Sequence, residues 1–182
     1  VGFYLFILIA AILAIGTAIY PYRTLEEDYR TWNRVKMLHN MGIDEKQAVA
    51  YDKLYLSLRH ENTFLFEYAQ CLNRLERQTA SNELLKEMAQ TSCDPMVYNV
   101  MGRNYQALGK TLEAEKAFQT ASYLIPSRLY PYYLLTKLYD ENGEAEKVRQ
   151  MARLVVEKEP KIQSEAIREM KEEVQTIYDK YQ

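Results

Sequence analysis

A pattern of eight residues recurs after 34 positions in the second half of the chain, and that period decides the architecture. Tyr98, Met101, Gly102, Tyr105, Ala114, Phe118, Ala121 and Pro126 return as Tyr132, Leu135, Thr136, Tyr139, Val148, Ala152, Val155 and Pro160. A fixed period of this length reads as a helix–turn–helix pair stacked on copies of itself. Gly102, Ala114 and Ala121 are small, so paired helices can approach closely, and Phe118 fills the gap they leave. A stack of helical hairpins presents a groove and seldom carries chemistry of its own. Binding is therefore the default function, and a claim of catalysis needs separate support.

The same slots continue backwards with weaker matches. A step of 33 reaches Leu65, Tyr68, Ala69, Leu72, Leu75, Ser81, Leu85 and Met88, with Cys93 where the closing proline would stand. A further step reaches Trp32, Val35, Gly42, Ala48, Tyr55 and His60, while Lys36 and His39 occupy slots that are normally small or aromatic. The expected fold is an all-α solenoid of about four hairpins within 23–162, at roughly 29–61, 62–94, 95–128 and 129–162. Asp94–Pro95 supplies an N-cap carboxylate followed by a proline at the first helical position, and Pro131 starts the next hairpin similarly. Leu108–Gly109 and Asn142–Gly143 fall at turns between paired helices, where glycine accepts the left-handed conformation. Sixteen tyrosines against one tryptophan suit an array whose large slots take aromatics.

Beyond Pro160 the spacing changes. Ile167, Met170, Val174, Ile177 and Tyr181 form one apolar stripe at helical spacing, opposite Arg168, Lys171 and Glu172. Residues 163–182 therefore read as a closing helix that covers the last hairpin's apolar face. A helix that binds a partner or a membrane surface is the alternative reading of that stripe.

The other end has a different character. Residues 1–20 carry no charge and no proline. About 20 residues at 1.5 Å each cover the roughly 30 Å of a bilayer core, so one transmembrane helix over 1–22 is expected, contacting lipid through 1–20. No basic region precedes the run as it would in a signal peptide. Tyr20 and Tyr22 then sit at an interfacial position beside Arg23. Basic Arg23, Arg30, Arg34 and Lys36 are mixed with Glu26, Glu27 and Asp28, which leaves the side of the membrane open. The chain opens on Val1, which points to a processed chain or a fragment.

Candidate chemistry is sparse. The formal net charge of −2 advertises no basic face for nucleic acid. Cys71 and Cys93 lie far apart without further ligands, and read as small packing residues rather than a metal pair or a disulfide. His39 and His60 have no carboxylate or thiol cluster around them, and His60–Glu61 lacks a second histidine. No catalytic, metal or cofactor residue is assigned. The candidate site is the concave face, made by the first helix of each hairpin. Helical spacing places there Asn33, Met37, Phe66, Gln70, Arg74, Asn99, Arg103, Gln106, Tyr133 and Lys137. Amides, cations and aromatics together suit a protein or peptide partner.

The eight slots are those of the tetratricopeptide repeat. As a whole, the chain resembles the C-terminal tail of the O-antigen ligase/polymerase-like membrane proteins of Bacteroidetes. The likeness is carried by YNVMGRNYQALG at 98–109, PSRLYPYYLLTKLY at 126–139 and PKIQSEAIREMKEE at 160–173, with the apolar run and Trp32 at the junction. The resemblance implies a bacterial inner-membrane parent that moves a lipid-linked glycan onto an acceptor, with its catalytic residues upstream of Val1. No catalytic residue carries over onto this chain. Tetratricopeptide receptors that clamp a terminal carboxylate use lysine, asparagine and arginine at set groove places, and Met37 and Tyr133 interrupt that pattern here. A single-span repeat adaptor in envelope assembly or secretion is the alternative.

Overall fold

The structure is a computed structural model and describes residues 24–38, 42, 44–160 and 163–182. The described residues form nine helices and no strand. They are α1 (24–38), α2 (Asp44–Leu58), α3 (Asn62–Arg74), α4 (Gln78–Ala89), α5 (Pro95–Ala107), α6 (Thr111–Leu124), α7 (Tyr130–Glu141), α8 (Ala145–Glu157) and α9 (Glu165–Asp179). The chain divides into two compact units at the turn between α3 and α4, one ending at Leu75 and the other running from Glu76 to Gln182. The span expected over 1–22 lies outside the described residues. Among the described residues no helix is long and apolar enough to cross a membrane.

In the first unit an aromatic cluster holds the helices together. Trp32 meets Phe64 edge-on at 5.6 Å, Phe64 meets Tyr51 at 5.5 Å, and Tyr51 stacks on Tyr68 at 5.3 Å. Offset and edge-on aromatic pairs are favoured by the ring quadrupoles, beyond the area they bury. The polar tips are satisfied at the edge of this cluster, because Trp32 Nε1 and Tyr51 Oη both donate to Glu67 Oε2, at 2.7 and 3.3 Å. Burial, followed by the Glu67 charge, pushes the Tyr51 phenol well above its ordinary range.

The second unit shows what the repeat slots do. Phe118, Ala114 and Ala121 are fully buried, and a Cβ placed on Gly102 would stand only 2.3 Å from Phe118 Cε1. Glycine is therefore demanded at position 102 by the ring opposite it. One period later the volumes are exchanged: Thr136 replaces the glycine and Ala152 replaces the phenylalanine, both fully buried. The Thr136 hydroxyl donates to the Tyr132 carbonyl at 2.9 Å within its own helix, so no polar group is stranded.

Local signals behave as their chemistry requires. Asp94 caps α5 by accepting from the Met96 amide at 2.9 Å, with Pro95 at the first helical position. Gly109 and Gly143 both adopt φ +70° at the turns α5–α6 and α7–α8. Cys71 is buried as a packing residue should be, its thiol donating to the Asp44 carbonyl at 3.4 Å, but Cys93 is exposed in the turn before α5; neither is in a disulfide. The packing role read for Cys93 is thus corrected, because the inter-hairpin turn that carries it faces solvent.

The stripe on α9 divides in the structure. Val174 packs with Ala152 and Val155, and Ile177 with Leu134, Leu138 and Val148, so these two seal the last hairpin. Ile167, Met170 and Tyr181 are only half-buried. Ser164 caps the helix through the Ile167 amide at 3.3 Å. Glu165, Arg168 and Glu172 are exposed, which ends the array on a charged face.

Candidate functional site

Three helices of the second unit run in the same direction and wall a cavity of about 590 Å³. Their register can be read from hydrogen bonds. Gln106 on α5 bonds Glu141 on α7, 35 residues on. Tyr133 on α7 donates to Glu173 on α9 at 2.6 Å across 40 residues, and Tyr181 donates to Asp140 at 2.8 Å across 41. The two tyrosine bonds advance together along α7 and α9, which makes that pair parallel, as first helices of successive hairpins must be. Arg103 and Gln106 line the cavity from α5, while Tyr130, Tyr133, Leu134, Lys137 and Glu141 line it from α7. Ala166, Glu169, Met170 and Glu173 close it from α9.

Of the ten residues expected on the groove, Arg103, Gln106, Tyr133 and Lys137 therefore come together. Asn99 does not line this cavity. It is 1 % exposed, its amide nitrogen lies 3.9 Å from Met96 Sδ, and its carbonyl oxygen has no partner among the described residues. Helical spacing put it on the correct side of α5 but could not show that the position is covered. In the first unit, Gln70 and Arg74 line a smaller cavity of about 180 Å³ with Lys36, Gln47, Tyr51 and Glu67. Asn33, Met37 and Phe66 do not line it; Asn33 and Met37 are exposed and Phe66 is half-buried.

Electrostatics separates the two cavities. In the smaller one, Lys36 pairs with Glu67 at 3.4 Å, and Arg74 pairs with Asp44 at 3.0 Å while donating to Gln47 at 2.8 Å. Gln47 in turn donates to the Val35 carbonyl at 3.1 Å. Both cations there already have carboxylate partners. In the larger cavity, Lys137 pairs with Glu173 at 2.8 Å and lies 5.2 Å over the Tyr133 ring. The Glu173 hydrogen bond holds the Lys137 ammonium above its ordinary range, and Lys137 followed by Tyr133 holds the Glu173 carboxyl below its own. Burial first, then Glu173, raises the Tyr133 phenol. Arg103 and Glu169, both exposed, have no ion pair among the described residues.

Tyr130, Leu134, Glu141, Ala166, Glu169, Met170 and Glu173 were not foreseen at the site. Tyr130 and Glu141 were within reach of the spacing argument, lying three residues before Tyr133 and four after Lys137 on one helical face. The α9 residues needed a different recognition, that the closing helix is also the next groove helix. Among the described residues no group of three or more His, Cys, Asp and Glu could hold a metal ion.

No protein-family model matches the sequence, and no curated protein matches it either. Solved structures do. A crystal structure of the MamA protein superposes with a TM-score of 0.67 at 17 % identity, covering 85 % of this chain and 89 % of that one. A thermophilic TPR protein of Thermus thermophilus gives 0.60 at 16 %, covering 82 % and 81 %. The pilF protein of Pseudomonas aeruginosa gives 0.62 at 16 %, covering 83 % and 71 %. At these identities the likeness establishes the fold, a tetratricopeptide-type helical repeat.

Proposed function

We propose that the chain is a tetratricopeptide module that binds a protein partner in the groove of α5, α7 and α9. The observation that carries this is the cavity itself. It combines a stacked tyrosine pair, with centroids 6.0 Å apart, and an apolar floor at Leu134 with charged groups that lack internal partners. Such a surface gains from an occupant that buries the rings and neutralises the charges. No chemistry of its own is assigned to the chain. The finer part of the proposal is that the apolar run at 1–20 tethers the module to a bacterial inner membrane. There it would serve as the accessory tail of an O-antigen ligase-like protein whose catalytic residues precede Val1.

The test is site-specific photo-crosslinking in the native host. A benzophenone side chain at Arg103 should give discrete adducts, whereas the same group at Leu112, 69 % exposed on α6 and away from the cavity, should not. Adducts from position 112 alone would refute the groove. A single uncharged run within these 182 residues equally suits a single-span adaptor. The genomic sequence upstream of Val1 separates the two: multiple hydrophobic spans favour the ligase parent, and a start codon favours the adaptor.

A further inference from the structure

Two charges in the groove are unmatched, and they lie at different heights. Glu169 sits on α9 four residues before Glu173, which bonds both Tyr133 and Lys137, so it stands roughly level with the Tyr130 turn of α7. Arg103 sits on α5 three residues before Gln106, the partner of Glu141, which places it level with Leu138, next to Lys137. Tyr130 to Lys137 is two turns of α7, about 10 Å along the groove. The tyrosine stack already receives one cation, because Lys137 Nζ lies over the Tyr133 ring. Tyr130 is half-buried and lines the same cavity as the Glu169 carboxylate. Aromatic face plus carboxylate is the chemistry that selects a guanidinium or ammonium group.

We infer that the groove reads an extended segment of a partner protein in which a lysine or arginine stands three residues from an aspartate or glutamate. The basic side chain enters between Tyr130 and Glu169, and the acidic one reaches Arg103. Three residues of extended chain cover about 10 Å, which matches the spacing of the two charges along the groove axis. Lys137 and Glu173 do not compete for the occupant because they satisfy each other. The inference rests on the groove assignment and adds the chemical identity of what fills it.

Random twelve-residue peptides displayed on phage are selected against the full chain, and the enriched peptides are synthesised and titrated by fluorescence anisotropy. Enriched peptides should carry opposite charges three positions apart. Their affinity should fall roughly twofold to fivefold on Glu169→Gln and again on Arg103→Ala. Both variants should melt like the parent, since neither side chain has an internal partner to lose. Ala166→Trp, which plugs the cavity, should abolish binding. Peptides that are lost on Ala166→Trp yet show no paired charges, or ignore Glu169→Gln and Arg103→Ala, would overturn the charge-reading inference while leaving the groove intact. No enrichment, or peptides indifferent to all three variants, would refute both.

Discussion

The contact between Gly102 and Phe118 allows a thermodynamic test of the repeat packing. Gly102→Ala introduces a Cβ at 2.3, 2.5 and 2.8 Å from Phe118 Cε1, Cδ1 and Cζ. Carbon atoms in good contact sit about 3.5–4.0 Å apart, so the ring must retreat by more than an ångström. It has nowhere to go, being fully buried among Ala114, Leu135 and Tyr139. Overpacking of this kind costs about 1–3 kcal/mol, and an overlap along one whole ring edge belongs at the upper end. Replacing glycine by alanine inside a helix returns about 1 kcal/mol. The net expectation is a destabilisation of about 2 kcal/mol. Phe118→Ala alone should cost about 3–5 kcal/mol through the cavity it leaves.

The two changes should not add. With the ring gone, the new methyl on residue 102 occupies part of the cavity instead of colliding. The double variant should therefore be more stable than the sum of the singles by at least about 1.5 kcal/mol, well outside the additive range of about 0.5 kcal/mol. The following repeat already holds this exchange, with Thr136 and Ala152 in the two slots. Urea unfolding followed by circular dichroism measures all four corners of the cycle, read at unchanged slope. A Gly102→Ala variant as stable as the parent, or a cycle that closes additively, would refute the close-approach account.

Three other outcomes follow from the same structure. Glu115 is mostly covered and, although burial opposes its charge, hydrogen bonds from Tyr139 at 2.7 Å and Lys147 at 3.1 Å hold its carboxyl below the ordinary 4.5. Stability from a depressed carboxylate is present above its unfolded pKa and disappears as pH falls through the folded one. The gap between parent and Glu115→Gln should therefore be full at about pH 7 and shrink as pH falls below the ordinary carboxylate range, and denaturation midpoints that stay equally far apart would contradict it. Val174→Ala removes two methyl groups from a fully enclosed site on α9 and should cost about 2 kcal/mol, checked by thermal melting. Leu8→Arg should impair membrane insertion by about 2.5–3.5 kcal/mol, measured by partition of the chain into membranes, and unaltered partition would remove the tether.

Legibility followed distance along the chain. The slots from Tyr98 to Pro160 could be read because they report packing between helices joined by a short turn, where one residue's size dictates its neighbour's. Phe118 announces Gly102 from the sequence alone, whereas the reversed pair Thr136 and Ala152 was recognised only in the fold. The groove was legible only as a helical face. Spacing put Arg103, Gln106, Tyr133 and Lys137 on it, but not Glu173, because that partner is contributed by a helix beyond the 34-residue period. Without Glu173, Lys137 looks like a free cation and Tyr133 like a side chain that can be removed harmlessly. With it, Tyr133 is a hydrogen-bonded part of the wall, and Tyr133→Ala would perturb the fold together with binding.

The two faces of α9 explain why its apolar stripe is mixed. Val174 and Ile177 point into the last hairpin and satisfy the need of any helical array to bury its final apolar surface. Glu169, Met170 and Glu173 lie on the adjoining face and complete the groove. Deleting 163–182 would remove both contributions at once, so lost binding in such a deletion says nothing about recognition. Separate substitutions on the two faces keep them apart: Val174→Ala should lower stability and spare the affinity of the folded fraction, whereas Glu169→Gln should do the reverse. A helix that only capped the array would lose affinity in step with stability in both variants.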